Sequence, residues 1–315
     1  MKRAGKIIIK FIGLAILIVI LSYIDFNEFI ANLGNINIGL LAIACLLILL
    51  VYLFKALRWR FLISLQGIEY PVKDSLLAFM GSNFVAYVTP GRVGEVIKAH
   101  YLKKDKNVPL AKSVPSVILD RIFDVYCLLI VAVIGILQFS IKKEITSVFY
   151  ISTIVLFILP WLVLNKKIVF PLTNILTKYV IRGKIGKKIQ DFSNELAVEF
   201  SGLLSYKLIT AVFFTLAAYL TLFFSGKLLI IAMGLDIPFI TLSSFIAIAN
   251  VLSFLPISFA GLGTREASMI FLFSLINLNE EKALLFSLLL FFTFFIMGGI
   301  YGYIGFLLKP IKLSL

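Results

Sequence analysis

Long apolar runs separated by short polar segments organise the whole sequence. A helix needs about 18 or more apolar residues to cross the hydrocarbon core of a membrane. Runs near or above this length are assigned as spans at residues 1–24, 38–54, 117–137, 149–164, 208–233 and 284–308. Two further apolar stretches, residues 74–102 and 239–276, are interrupted near their centres. The pattern predicts an all-α polytopic membrane protein, with a single integral membrane domain over residues 1–315.

The two interrupted stretches are predicted to be re-entrant helical hairpins. Residues 74–88 would form a helix of only about 22 Å, which is too short to cross, and Pro90 and Gly91 then break it. Pro256 and the nearby glycines interrupt the second stretch in the same way. Broken backbone at membrane depth is tolerated only where protein buries it or where it lines a wet cavity. We therefore expect about six full transmembrane helices plus two re-entrant hairpins.

The two hairpins share an order of residue types: asparagine, proline, glycine, then arginine and glutamate. The matched positions are Asn83 with Asn250, Pro90 with Pro256, and Arg92 and Glu95 with Arg265 and Glu266. With six full spans, the first hairpin enters from the cytoplasm and the second from outside. The shared order therefore predicts an inverted repeat, an arrangement by which many transporters build a binding site near the bilayer midplane.

The distribution of charge supports this topology. The net charge is +14, and the basic residues lie mainly between the apolar runs, so the membrane surface is the expected partner and nucleic acid is not. Of the 30 lysines and arginines, only Lys142, Lys143 and Lys282 fall in the predicted outer loops. The positive-inside rule then predicts a multi-pass protein of the cell (cytoplasmic) membrane with both termini cytoplasmic. Residues 165–207 are predicted to be a cytoplasmic amphipathic segment that lies on the membrane.

The composition narrows the chemistry that the chain can carry. The sequence is 61% hydrophobic, with a mean hydropathy of +1.06, whereas soluble domains are about 45–50% apolar. It contains one histidine and two cysteines, and these do not form a group with metal-ligand spacing. Neither a metal nor another cofactor is therefore expected.

Charged residues at membrane depth are the candidate site residues. Each costs about 2.5–3.5 kcal/mol to insert into the membrane, so a chain keeps such a residue there only where something offsets that cost. Arg92 and Arg265 each open a short helix after glycines, where unpaired N–H groups and a guanidinium suit a phosphate. Thr264 is expected to be the N-cap of the second helix. The predicted substrate-binding residues are Arg92, Glu95, Arg265, Glu266, Asn83, Asn250, Gly91, Gly263 and Thr264. The alternative left open is that the Arg–Glu pairs only tie the hairpins to the spans.

A second charged motif, Asp120, Arg121 and Asp124, opens the third span. Because Asp120 and Asp124 are one helical turn apart, we interpret them as a supporting network that braces Arg121. General acid–base chemistry or Mg²⁺ ligation is the alternative. Lys98 and His100 are expected to extend their side chains to the membrane interface.

At three motifs the sequence resembles a known family. PGRVGE at residues 90–95, DRIFD at 120–124 and AGLGTREA at 260–267 are similar to the membrane, flippase-like domain of lysylphosphatidylglycerol synthetases in its stand-alone form. The third motif departs from the family, which often has Gly-Gly where this chain has Ala260-Gly261. The resemblance implies translocation or handling of a lipid with an anionic or aminoacylated head group between leaflets. The soluble aminoacyl transferase domain of the full synthetases is not expected here, which favours a transporter over an enzyme.

A second hypothesis belongs to a different functional class. It is a membrane-embedded accessory subunit, or a metal-dependent enzyme acting on polyprenyl-phosphate-linked sugars through Asp120 and Asp124. The expected partner is a membrane phospholipid or a polyprenyl-phosphate lipid. A separate transferase partner and a homo-oligomer are left open.

Overall fold

The architecture was analysed in a computed structural model that describes residues 22, 26–89, 94–139, 143–179, 183–253 and 261–311. In these residues the regular elements are helices, and no strand occurs. The predicted all-α class is therefore confirmed. The predicted first span apart from Ser22, and Pro90, Gly91, Arg92 and Pro256, lie outside the described residues.

The helices are numbered in chain order over the described residues. They are α1 (Phe26–Gly34), α2 (Ile38–Ser64), α3 (Val72–Val88), α4 (Ile97–Lys106), α5 (Leu110–Gln138), α6 (Lys143–Leu164), α7 (Lys166–Tyr179), α8 (Gly183–Leu203), α9 (Ile209–Ala232), α10 (Phe239–Ser253), α11 (Thr264–Ser274), α12 (Glu280–Phe291) and α13 (Gly298–Leu308). A 3₁₀ turn (Tyr206–Leu208) precedes α9, and a π-helical segment (Phe292–Met297) joins α12 to α13.

Membrane-length helices form the centre of the bundle. Among the described residues, three continuous helical stretches are long and apolar enough to cross a membrane: Ile38–Ser64, Tyr206–Ala232 and Glu280–Leu308. Helix α2 packs along α9, and α5 packs along α10. The predicted total of six spans and the re-entrant character of the two hairpins stay predictions.

The last helix packs closely against the first arm of the first predicted hairpin. Helix α13 lies along α3, and its buried glycines Gly298, Gly302 and Gly305 face that contact. A Cβ atom on Gly302 would lie 3.0 Å from the Met80 carbonyl oxygen, tighter than an ordinary van der Waals contact. These small residues allow the two backbones to approach closely.

The arms of each predicted hairpin contact each other, with boundaries that differ from the prediction. In the first, a 3₁₀ turn at residues 94–96 precedes α4, which extends to Lys106. The Gly94 N–H donates to Thr89 Oγ1 at 2.9 Å. In the second, α10 packs on α11. The prediction of Thr264 as N-cap is wrong: Gly263 holds that position with φ +83°, a left-handed conformation that glycine adopts without the steric cost of a Cβ.

The predicted amphipathic segment is divided into two helices. Helices α7 and α8 pack against each other, and α8 also packs against α5. Phe200 and Leu203 of α8 are buried in one apolar cluster with Leu62 and Leu119. Part of the apolar face of α8 therefore docks on the bundle, and the placement of residues 165–207 on the membrane surface stays a prediction.

A polar cluster fastens the end of α13 to the first hairpin. Lys309 Nζ lies 2.5 Å from Asp74 Oδ1 and 2.7 Å from Asp105 Oδ2. The Tyr70 hydroxyl donates to Asp105 Oδ2 at 2.5 Å. We call Tyr70, Asp74, Asp105 and Lys309 the Lys309 cluster. It joins α3, α4 and the end of α13 at the basic end of the bundle, outside the apolar spans.

The Lys309 cluster is expected to make stability depend on pH. Burial raises the pKa of Asp105, but hydrogen bonds from Lys309 and Tyr70 outweigh burial and hold that pKa below its usual range. Because the folded pKa is lower than the unfolded one, this stabilisation is present above about pH 4 and is lost as the pH falls through the folded value. Asp105→Asn should therefore lower the unfolding temperature near neutral pH, and its difference from the parent should shrink in acid.

Thermal unfolding in detergent between about pH 3 and pH 7 measures this difference. Glu69→Gln, at an exposed position beside Tyr70, is the control and should show little effect throughout. A deficit for Asp105→Asn that stays constant across the pH range would contradict the prediction.

Candidate functional site

A buried arginine joins three helices inside the bundle. Arg58 on α2 is 0% exposed. Its Nε donates to Asp120 Oδ1 at 2.7 Å, its Nη2 to Asp124 Oδ1 at 2.9 Å, and its Nη1 to Thr215 Oγ1 at 3.1 Å. The two aspartates can both accept because they lie one turn apart on α5. The guanidinium fork thus holds α2, α5 and α9 in register.

Lys98 extends this network from the first hairpin. It is 0% exposed, and its Nζ lies 2.6 Å from Asp120 Oδ2 and 3.5 Å from Glu95 Oε2. The expectation that Lys98 reaches the membrane interface is therefore wrong, whereas His100 is exposed. The physical reason is that α4 packs against α5, which brings the Asp120 carboxylate within reach of a buried ammonium whose other carboxylate partner, Glu95, is 3.5 Å away.

Two more cations complete the network. Lys55 Nζ lies 3.0 Å from Asp124 Oδ1 and 4.7 Å from the centre of the Tyr219 ring. The Arg121 guanidinium contacts Glu95 and lies 3.8 Å from Asp124 Oδ2. The side chains of Lys55 and Arg121 are 15% and 26% exposed, so these two cations are more accessible than Arg58 and Lys98.

Together these side chains form what we call the charge cluster. Its members are Lys55, Arg58, Glu95, Lys98, Asp120, Arg121 and Asp124. Within the described part of the chain, the cluster contains four cations and three carboxylates, a net formal charge of one positive. The excess positive charge depends on the two partly exposed cations, Lys55 and Arg121, so the arrangement can accept an anionic ligand.

A cavity of about 80 Å³ opens beside the charge cluster, with room for several water molecules. Its polar lining residues are Tyr52, Lys55, Asn83, Tyr87, Glu95, Arg121, Asp124, Tyr219 and Asn250. Asn83 comes from α3 and Asn250 from α10, so the first arms of both predicted hairpins reach the same cavity. Each amide nitrogen donates to a backbone carbonyl of its own helix, Asn83 to Phe79 and Asn250 to Ile246.

Aromatic hydroxyls connect the cavity wall to the π-helical segment. The Tyr87 hydroxyl donates to the Phe294 carbonyl at 2.9 Å, and the Tyr52 hydroxyl donates to the Gly298 carbonyl at 3.0 Å. Phe294 itself lines the cavity. A π-helical turn displaces backbone carbonyls from the usual α-helical pairing, and the two tyrosines provide donors for carbonyls in and beside this turn.

A separate ion pair lies at the start of α11. Arg265 Nε lies 3.1 Å from Glu266 Oε1 and 3.3 Å from Ser287 Oγ, and its guanidinium is 4.9 Å from the Phe291 ring centre. Glu266 is 0% exposed and accepts from the Gly263 N–H at 2.6 Å. Thr264 Oγ1 donates to the Gly261 carbonyl. Arg265 and Glu266 are not among the residues that line the cavity.

The structure thus places the predicted site residues in two groups. Asn83, Glu95, Arg121, Asp124 and Asn250 line the cavity, with Asp120 directly behind them in the charge cluster. Gly263, Thr264, Arg265 and Glu266 lie together at the start of α11. Gly91 and Arg92 lie outside the described residues.

Sequence reasoning missed Lys55 and Arg58 as site residues. Both follow the predicted span at residues 38–54 directly, where the positive-inside rule places basic residues at the cytoplasmic boundary of a helix. One signal could have located them deeper: after Trp59 and Arg60 the apolar residues Phe61, Leu62 and Ile63 follow, which indicates that the helix continues past the two cations.

The geometry gives no support to metal chemistry at the aspartates. Asp120 and Asp124 accept from Arg58, and Asp120 also contacts Lys98. Among the described residues, no group of three or more His, Cys, Asp or Glu side chains is placed to hold a metal ion.

Comparison with known proteins decides the family. The family model for the lysylphosphatidylglycerol synthase transmembrane region matches residues 10–302. The chain belongs to this family. Together with the apolar helices, membership shows a multi-pass membrane protein. The cytoplasmic placement of the two termini stays a prediction.

The chain is similar to three curated proteins of archaea. One UPF0104 membrane protein of Methanocaldococcus jannaschii is 25% identical over 98% of this chain and 96% of its own length. A second from the same organism is 27% identical over 70% of this chain and 94% of its own length. Glycosyltransferase AglD of Haloferax volcanii is 28% identical over 32% of this chain and 16% of its own length. No solved structure matches the chain.

Proposed function

We propose that this protein translocates or otherwise handles a lipid with an anionic or aminoacylated head group between the leaflets of a membrane. The head group binds in the cavity beside the charge cluster. The observation that carries the proposal is a polar cavity lined by two partly exposed cations, Lys55 and Arg121, that belong to a cluster of four cations and three carboxylates within a bundle that contains membrane-length helices. Membership of the lysylphosphatidylglycerol synthase transmembrane family supports it.

The cations divide into two roles in this proposal. Arg58 and Lys98 are fully buried and hold Asp120, so they maintain the framework. Lys55 and Arg121 line the cavity and are partly exposed, so they contact the lipid phosphate. Charge-assisted hydrogen bonds to a phosphate are about twice as strong as neutral ones.

The two predicted hairpins supply a route between the leaflets. If they enter from opposite sides of the membrane, rocking of one hairpin against the other opens the cavity to each side in turn. Arg92, which the sequence places between the arms of the first predicted hairpin, and Arg265 at the start of α11 stay proposed contacts along that route. Glu95 and Glu266 are the acidic partners proposed for them when no lipid is bound.

The direct test is lipid transfer in reconstituted vesicles that carry a fluorescent anionic lipid. The double variant Lys55→Gln/Arg121→Gln should lower the initial transfer rate by about 100-fold, since two charge-assisted contacts of about 1.5 kcal/mol each are lost. Gel filtration establishes that the variant is folded.

The matched control is Lys227→Gln. Lys227 is 17% exposed and pairs with Asp236 at 2.5 Å, so it resembles Lys55 in exposure and pairing but lies outside the cavity lining. Parental transfer by the folded double variant would reject the site. Retained transfer by both Arg92→Ala and Arg265→Ala would remove those two arginines from the route.

A further inference from the structure

We infer that the cavity selects lipids whose head group has a net negative charge and carries uncharged hydroxyl groups, and that it discriminates against aminoacylated head groups. The ligand class is a phosphodiester-linked polyol. This inference rests on the proposed function, because it names the substrate class of the same site.

The carboxylates at the cavity are already occupied by cations. Glu95 contacts Arg121 and lies 3.5 Å from Lys98. Asp124 lies 2.9 Å from Arg58 and 3.0 Å from Lys55. The ammonium of an aminoacyl head group that entered the cavity would therefore meet, among the described lining residues, only carboxylates that already have at least two cation partners. It would also approach Lys55 or Arg121, and juxtaposed like charges are strongly unfavourable in a desolvated site.

The net charge of the charge cluster favours anionic lipids over lysylated ones. The charge cluster has a formal excess of one positive charge within the described part of the chain, and one phosphodiester neutralises it. A lysyl ester of phosphatidylglycerol carries two ammonium groups for each phosphate, so its binding would leave the site with two positive charges. Burial in a low-dielectric site penalises that state.

The remaining polar lining suits hydroxyl groups. Asn83 and Asn250 line the cavity, and each has its amide nitrogen held by its own helix. The amide oxygen is then the acceptor that each side chain can offer to a ligand. Two neutral acceptors drawn from different helices match the hydroxyls of a glycerol or inositol head group, which donate without bringing charge.

The experiment compares transfer of five lipids with identical labelled acyl chains: phosphatidylglycerol, phosphatidylinositol, phosphatidic acid, phosphatidylethanolamine and lysyl-phosphatidylglycerol. The two polyol lipids should be transferred at least about tenfold faster than the lysyl lipid, with phosphatidylethanolamine between them. Phosphatidic acid, which has charge without a polyol, should be slower than phosphatidylglycerol. Lys55→Gln should reduce the preference for phosphatidylglycerol over the lysyl lipid several-fold, whereas Lys227→Gln should leave it unchanged.

The outcomes separate this inference from the proposed function. Equal transfer of all five lipids, or faster transfer of the lysyl lipid, overturns the selectivity and leaves lipid transfer standing. Equal rates for phosphatidic acid and phosphatidylglycerol overturn the polyol requirement. If every lipid moves at the rate of protein-free vesicles, the transport proposal fails, and native mass spectrometry of the protein with the same lipids then decides. Preferential retention of phosphatidylglycerol supports charge selection, and equal retention or preference for the lysyl lipid refutes it.

Discussion

Replacing Arg58 with methionine should lower the free energy of unfolding by about 3–5 kcal/mol, the usual loss when one partner of a buried ion pair is removed. The variant leaves Asp120 and Asp124 buried, 1% and 4% exposed, with the hydrogen bonds from the guanidinium lost. Lys55 and Lys98 cannot replace the fork, because each ammonium is a point donor on its own helix. Because native membrane proteins are only marginally stable, the folded yield should fall sharply. Unfolding of purified protein in mixed detergent measures the change.

Two further variants isolate the cause. The quadruple variant Arg58→Met/Lys98→Met/Asp120→Asn/Asp124→Asn replaces the buried cations together with both aspartates and should recover much of the lost stability, since a neutral replacement of a buried charge network is often tolerated. Arg60→Met, two residues further along α2, changes an exposed arginine whose Nε donates to the Tyr70 carbonyl, and its effect should be small. A quadruple variant less stable than Arg58→Met would show that the charges were not the source of the loss.

Replacing Gly94 with alanine should open the first hairpin and lower stability by about 2–3 kcal/mol, the upper part of the range for overpacking. A Cβ atom at this position would lie 2.7 Å from the backbone carbon and oxygen of Val85 and 2.8 Å from the nitrogen of Ala86. Because these are backbone atoms, no side-chain rotation can relieve the clash. The second arm must therefore move away from α3, and Glu95 and Lys98 should move with it.

Displacement of those two side chains connects stability to function. Lys98 would lose its contact with Asp120, and Glu95 would lose its contact with Arg121, so lipid transfer should fall together with stability. Gly202→Ala is the matched control, because Gly202 has no heavy atom within 4 Å of an added Cβ. Transfer rates and detergent unfolding of both variants test the prediction. Parental behaviour of Gly94→Ala in both assays would mean that the hairpin arms do not need this contact.

Local sequence patterns predicted several parts of the molecule. The apolar runs predicted the membrane-length helices. The one-turn spacing of Asp120 and Asp124 placed both carboxylates on one face of α5. Each of these inferences depends on helix period or length, which are properties of a single segment.

Other features could not be predicted from the sequence, because they depend on which helices contact each other. Thr264 was expected to cap α11, but the chain turns with a positive φ at Gly263, so the cap lies one residue earlier. Residues 165–207 had an amphipathic pattern, but their docking on α5 required a partner surface that the pattern could not identify. Arg92 and Arg265 were expected to share a site because their motifs are similar. In the structure, Arg265 at the start of α11 contacts Glu266 and, on α12, Ser287.

The sequence by itself determined that this chain is a helical membrane protein with interrupted apolar segments and charged residues within them. Hydropathy and helix-breaking residues can be read from each segment alone, which is why the sequence was sufficient for this. Only the tertiary structure decided that Arg58 and Lys98 are the buried partners of Asp120. A basic residue beside an apolar run can face either the membrane surface or the protein interior with the same local sequence. The choice depends on whether another helix brings a carboxylate within about 3 Å, since that contact offsets the desolvation of both charges.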